Sequence, residues 1–164
     1  NAAVSTFAPL NNTMKSVYFD GTGDKLTLSS HSDFALGTGN FTLEFWYYAP
    51  SIGSNMCLFE QGSNLLRVIV ATGGGISVYP SGPAYATLEA SRWYHVAVVR
   101  VGTGADETFV YINGLPVHST TMNANITAGA ITIGMRTDGS DTFTGYLSNL
   151  RIQNQAIYTK NFTP

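Results

Sequence analysis

The side chains of this sequence best suited to making and breaking bonds are Glu44, Glu60, Glu89 and Glu107, the histidines His31, His95 and His118, and Cys57. Hydrolysis of a glycosidic bond needs two carboxyl groups about 5–9 Å apart across one cleft. In an extended strand residues i and i+2 share a face, so alternating acids would mark such a cleft. Glu44 has Thr42 and Trp46 at those positions, and Glu60, Glu89 and Glu107 also lack an acidic partner nearby on the same face. A catalytic pair would therefore need long-range convergence. The histidines are scattered, and His95 sits in a strand, where a hydrogen-bonded, partly buried imidazole is the ordinary state. No Gly-x-Ser-x-Gly elbow and no phosphate-cradling loop occurs. A single cysteine excludes an internal disulfide and a cysteine-based zinc site, so Cys57 reads as a buried strand residue.

Binding chemistry has more candidates. Calcium takes six to eight oxygens, commonly from loop carboxylates and carbonyls. Asp20 and Asp24 flank one glycine-containing turn, and Asp138 and Asp141 flank another, so each pair could supply two ligands. The competing reading is that each Asp caps its own turn. A glycan site needs an exposed aromatic plate with polar groups beside it. Tyr79, Tyr85 and Phe143 fall near loops or strand ends and are the candidates; Tyr47, Tyr48 and Tyr94 fall inside strands and read as core. Sequons at Asn11, Asn40, Asn125 and Asn161 would mark surface glycans only in a eukaryotic secreted protein.

These residues must be positioned by strands. The chain has 164 residues, 44% hydrophobic and only 11% charged, with a net charge of −2. That length suits one domain with its own core. Thr, Ser, Asn and Gly fill the gap left by charge, favouring strands and turns and suiting an extracellular or virion surface. No basic run supplies the footprint of a nucleic-acid binder, and no apolar run approaches the roughly 20 residues of a membrane helix. The start at Asn1 rather than Met is what a processed product or an excised domain would show.

Residues 1–15 lack alternation and read as an N-terminal arm, ordered by docking on a neighbour. Residues 16–164 read as one β-sandwich domain. Strands are expected near 17–19, 25–29, 41–48, 56–61, 65–70, 76–79, 84–88, 93–100, 108–113, 115–120, 130–133 and 145–152. Asn113-Gly114 predicts a type I′ hairpin; Gly73-Gly74-Gly75, Ser81-Gly82-Pro83 and Asp138-Gly139-Ser140-Asp141 mark other connections. Thr121–Ala128 is too short and too Asn-rich for a helix. On the strand Phe41–Tyr48, Phe41, Leu43, Phe45 and Tyr47 alternate with Thr42, Glu44, Trp46 and Tyr48. Large aromatics lie in both sets, so both faces should be covered.

Several segments in order resemble laminin-G-like jelly-roll domains of the concanavalin A-like type. They are Val17-Tyr18-Phe19-Asp20-Gly21-Thr22-Gly23-Asp24-Lys25-Leu26, Phe41-Thr42-Leu43-Glu44-Phe45-Trp46, Trp93-Tyr94-His95-Val96-Ala97-Val98-Val99-Arg100, Tyr111-Ile112-Asn113-Gly114 and Gly145-Tyr146-Leu147-Ser148-Asn149-Leu150-Arg151-Ile152, followed by the tail Tyr158 to Pro164. The Asn-Phe-Thr-Pro ending is similar to copies in bacteriophage and bacterial surface proteins. The resemblance implies an all-β, two-sheet antiparallel β-sandwich with Trp46 and Trp93 packed between the layers. It implies a non-catalytic module that binds a glycan or host surface, or decorates a capsid or tail through contacts with other virion proteins, with a homo-oligomer as one form of assembly. The alternative is a glycoside hydrolase or lyase of the same group. Calcium at the rim is a further implication, placed on Asp20 and Asp24 or on Asp138 and Asp141. The closing strand, however, carries Ser148 and Asn149 where relatives often carry acids.

Overall fold

The computed structural model describes every residue except 11, 12, 64, 81, 83 and 84. The Asn11 sequon and most of the Ser81-Gly82-Pro83 turn lie outside the described residues.

The described chain forms two antiparallel sheets. The first has seven strands in the spatial order β1 (Ala3–Ser5), β2 (Ser16–Asp20), β13 (Thr144–Gln153), β4 (Phe41–Tyr48), β9 (Tyr94–Arg100), β10 (Thr108–Ile112) and β11 (Leu115–Thr120). The second has six, in the order β3 (Leu26–Leu28), β12 (Ile131–Ile133), β5 (Met56–Gln61), β6 (Leu66–Val70), β7 (Gly75–Tyr79) and β8 (Tyr85–Thr87). The only helical element among the described residues is a 3-10 turn at Ser32–Phe34. Among the described residues no helix is long and apolar enough to cross a membrane.

The core lies between the sheets. Phe41, Leu43, Phe45 and Tyr47 of β4 and Val96 and Val98 of β9 are fully buried, facing Phe59, Leu66, Val68, Val70, Ile76 and Val78 of the second sheet. Period two sends these alternate residues inward, and each large apolar side chain contributes about 1.5–3 kcal/mol on burial. Phe143 belongs to this core. It is fully buried, 5.6 Å from Phe19 and 5.8 Å from Tyr47 between ring centroids, which corrects its reading as an exposed plate. It precedes β13 in a loop, but Phe143 N–H donates to Gly134 O, turning the ring inward.

Arg100 is the largest fully buried side chain. Its guanidinium donates to the carbonyls of Gly37, Gly39 and Ala124 and lies 4.9 Å from the Phe41 ring centroid. Three carbonyls and a ring face replace the water it has lost, as a buried cation requires.

The outward residues of the seven-stranded sheet are covered by the chain's two terminal segments. The C-terminal tail lies over Ala97, Val99 and Tyr111 through Ala156, Tyr158 and Phe162. The N-terminal arm does not wait for a neighbour: β1 pairs with β2, with Val4 opposite Val17, and Phe7 enters a nest of Tyr48, Trp93 and Tyr146 with ring centroids 4.8, 5.4 and 4.9 Å away. Ser16 Oγ donates to Phe7 O at 2.6 Å and fixes the crossing. Trp46 and Trp93 are therefore not between the layers. Both are half-buried on the outer face, because β4 already sends Phe45 and Tyr47 inward and Trp46 must point the other way.

Candidate functional site

Between the arm and the tail a patch of the outer sheet face stays open. It forms a pocket of about 410 Å³ with Glu44, Trp46 and His95 as floor, Leu10 of the arm on one side, Tyr158 and Pro164 of the tail on the other, and Asn149 to Arg151 along the edge. Its size lies in the range of small-molecule sites.

Strand register builds the floor. Glu44 pairs with Ala97 and Trp46 with His95 across β4 and β9, so Trp46 and Glu44 are successive outward residues of one strand. The Trp46 and His95 rings meet edge to face at 5.3 Å. A β-bulge in β13 builds the edge. Ser148 lies opposite Trp46, but Arg151, not residue 150, lies opposite Glu44. The extra residue is accommodated at Asn149, whose φ is 50°, a conformation Asn tolerates better than most residues. Without that extra residue Arg151 would face the core; with it, Leu150 and Ile152 turn inward and Arg151 meets Glu44.

Glu44 is 3% exposed and has four donors. Arg151 supplies two, from Nε at 2.8 Å and from a terminal nitrogen. His95 Nε2 lies 3.1 Å away and Tyr158 OH donates at 2.9 Å. Burial alone would raise its pKa, but the hydrogen bonds from His95, Arg151 and Tyr158, with the Arg151 charge, outweigh it and hold the carboxyl at about 2. Arg151 keeps a side chain 54% exposed, so it holds the carboxylate and still presents surface to the pocket. The floor thus combines an indole, an ionised carboxylate already committed to donors, and a guanidinium with free surface.

The sequence candidates lie elsewhere. Tyr79 ends β7 with 41% exposure and the Arg67 guanidinium 5.0 Å from its ring centroid. Tyr85 opens β8 opposite Ile76; its side chain lies outside the described residues. Asp20 caps its turn through Thr22 N–H, and Asp24 accepts from Asp20 N–H and sits 2.7 Å from Asn1 N. Asp138 accepts from Ser140 N–H and Oγ–H, and Arg136 lies 3.2 Å from Asp138 and 3.8 Å from Asp141. A guanidinium thus stands where a calcium ion between these two acids would stand, so that pair does not fit the metal. No cluster of three or more His, Cys, Asp or Glu suited to a metal occurs among the described residues. Sequence reasoning missed the pocket because Trp46 read as core and Arg151 owes its direction to the bulge. The positive-φ-tolerant Asn149 inside an apolar strand was the one local signal.

The sequence profile described as the concanavalin A-like lectin/glucanases superfamily matches residues 20–160. No curated protein sequence matches the chain. Among solved structures, the chain is similar to a heptameric SAP-like pentraxin from Limulus polyphemus, at 19% identity and a TM-score of 0.68 over 88% of this chain and 77% of that one. It is similar to the Trypanosoma rangeli sialidase at 17% identity and a TM-score of 0.66, covering 88% of this chain and 28% of the sialidase. It is also similar to a putative carbohydrate binding protein from Bacteroides ovatus at 16% identity and a TM-score of 0.62, covering 88% of this chain and 44% of that one. At these identities the structures share the fold, and the chain spans just over a quarter of the sialidase and less than half of the Bacteroides protein. A profile match over most of its length, on two sheets stacked about one apolar core, makes this chain a member of the concanavalin A-like lectin/glucanase superfamily.

Proposed function

We propose that the chain is a non-catalytic glycan-binding module, displayed at an extracellular or virion surface, that takes a sugar in the pocket over Trp46. The observation that carries the reading is the makeup of that pocket. A half-buried indole offers an apolar plate for the C–H face of a pyranose. Arg151 and Asn149 on the bulge offer hydrogen-bonding groups at its edge.

The same residues argue against hydrolysis. A glycosidase needs a protonated acid of raised pKa beside a second carboxylate, whereas Glu44 is the single acidic side chain among the pocket's lining residues and is held at about 2. Asp138 and Glu60, which approach Arg136 from two sides, are a poorer pair. Hydrogen bonds from Ser140, with a contribution from Arg136, hold Asp138 below the usual carboxylate range. The identity of the similar Bacteroides ovatus structure as a putative carbohydrate binding protein supports the reading. Since Arg136 already occupies the space between Asp138 and Asp141, binding needs no calcium there.

The test is a glycan array followed by calorimetric titration of the best glycan against the wild type and Trp46→Ala, each with and without EDTA. The reading expects binding to at least one glycan class, weakened about tenfold or more by Trp46→Ala and unchanged by EDTA. A blank array, or equal affinity in the variant, overturns it. A blank array together with a stable oligomer in light scattering would favour a decoration role, for which the exposed Val4, Leu26 and Leu28 on the neighbouring sheet edges supply apolar surface.

A further inference from the structure

The six-stranded sheet carries a second polar cluster on its outer face, remote in the fold from the Trp46 pocket. Register lines up four residues across four strands: Thr132 opposite Glu60, Glu60 opposite Arg67, and Arg67 opposite Tyr79. Glu60 is 2% exposed and organises the row. It accepts from Thr137 N–H and Oγ–H at 2.6 Å and from Arg67 at 3.3 Å, with Arg136 Nε 4.0 Å away. Arg136 then reaches out to Asp138 and Asp141. Three of the chain's ten Asp and Glu residues and two of its eight Lys and Arg residues meet here. Burying the Glu60 carboxylate requires donors, and Thr137 and Arg67 supply them; Arg136 with Asp138 and Asp141 carries the network beyond that need, out to the protein surface.

Two parts of this cluster face solvent. One is a polar cleft of about 190 Å³ lined by Glu60, Ser63, Arg136, Thr137 and Asp138. The other is the Tyr79 ring, held by its guanidinium neighbour. They lie on either side of Arg67, with Tyr79 two strand spacings, about 10 Å, from Glu60. Arg136 Nε is buried without a hydrogen-bond partner among the described residues, 4.0 Å from Glu60, while the terminal nitrogens of the same guanidinium face Asp138 and Asp141.

We infer that this face is a second ligand site, for a neutral oligosaccharide at least three rings long. One ring lies on Tyr79, and the ring two places along the chain sets vicinal hydroxyls against Arg136 and Asp138, whose donor and acceptor atoms stand 3.2 Å apart. A vicinal diol both donates and accepts, which suits a paired guanidinium and carboxylate. The cluster of Glu60, Asp138 and Asp141 against Arg67 and Arg136 has one more acid than base, which selects against anionic sugars. Two sites on opposite faces would let one module bridge two glycan chains and gain avidity on a polymer. The inference rests on the glycan-binding reading but uses different residues.

The test is amide NMR of the full chain with neutral hexasaccharides of β-1,4-glucan, β-1,3-glucan, β-1,4-mannan and β-1,4-xylan, each to about 10 mM, where weak sites fill. It is run on the wild type, Trp46→Ala and Tyr79→Ala. At least one hexasaccharide should shift the amides of Ser63, Thr137 and Asp138. Those shifts should survive Trp46→Ala and weaken about fivefold or more in Tyr79→Ala, whose exposed side chain leaves the fold intact. If none of the four moves these amides, or Tyr79→Ala binds as the wild type does, the second site is refuted. Shifts confined to Trp46 would refute it while leaving the first site standing. Tighter binding of an oligoglucuronate than of every neutral sugar would refute the neutral class.

Discussion

Glu44→Gln is the substitution with the most calculable effect. Glu44 is 3% exposed, and its carboxyl falls from an ordinary 4.5 to about 2 in the fold. At 1.36 kcal/mol per pH unit this difference corresponds to about 3 kcal/mol of stability. The sign follows from the depressed native value. The contribution is complete above about pH 5.5, where the unfolded carboxylate is also ionised, and is lost as pH falls through 4.5 toward 2. By pH 3 about 2 kcal/mol of it should be gone. Gln has no charge to lose, so wild type and variant should differ by about 3 kcal/mol at pH 7 and converge in acid. For a chain of this length 3 kcal/mol is about 6–12 °C in melting temperature, or about 1–2 M in urea midpoint. The assay is urea unfolding followed by tryptophan fluorescence from pH 7 to pH 3, repeated at high salt. Part of the effect should be screened, because Arg151 is 54% exposed. A gap between the two proteins that stays constant across this range would refute the argument, showing that Glu44 stabilises through shape and not through charge.

Gly114→Ala should cost about 2–3 kcal/mol in thermal unfolding. Gly114 has φ 78°, and a Cβ there would stand 1.8 Å from Phe162 O, so the turn is strained and the tail unseated. Loss of the Tyr158–Phe162 stack, read by NMR, should accompany it. Cys57 should react with a thiol reagent at pH 8 only at the rate of unfolding, since burial pushes its thiol up to about 12; fast labelling of the native protein would contradict its placement in the core.

The strands themselves were legible in the sequence, and for a local reason. Period two is a property of one strand, so Phe41, Leu43, Phe45 and Tyr47 announce a buried face without reference to any partner. Asn113-Gly114 likewise supplies the two positive φ angles, 51° and 78°, of its hairpin. Local pattern missed β1, because a three-residue edge strand with two exposed residues, paired only with β2, leaves no alternation to read.

The binding surfaces depended on pairings between residues far apart in the chain. β4 has aromatics on both faces, so sequence could say that both are covered but not by what. The outer cover is Phe7 from one end and Tyr158 and Phe162 from the other, and the gap between them is the pocket. Phe143 and Tyr79 both sit at strand ends, yet one is fully buried and the other 41% exposed, because burial depends on what packs from the opposite layer. The sequence determined the alternation, the turns and the sandwich, since each is written in neighbouring residues. Only tertiary structure decided where Glu44 meets Arg151 and where Glu60 meets Arg136, since a one-residue bulge and the order of strands across each sheet control those contacts and neither is a local property.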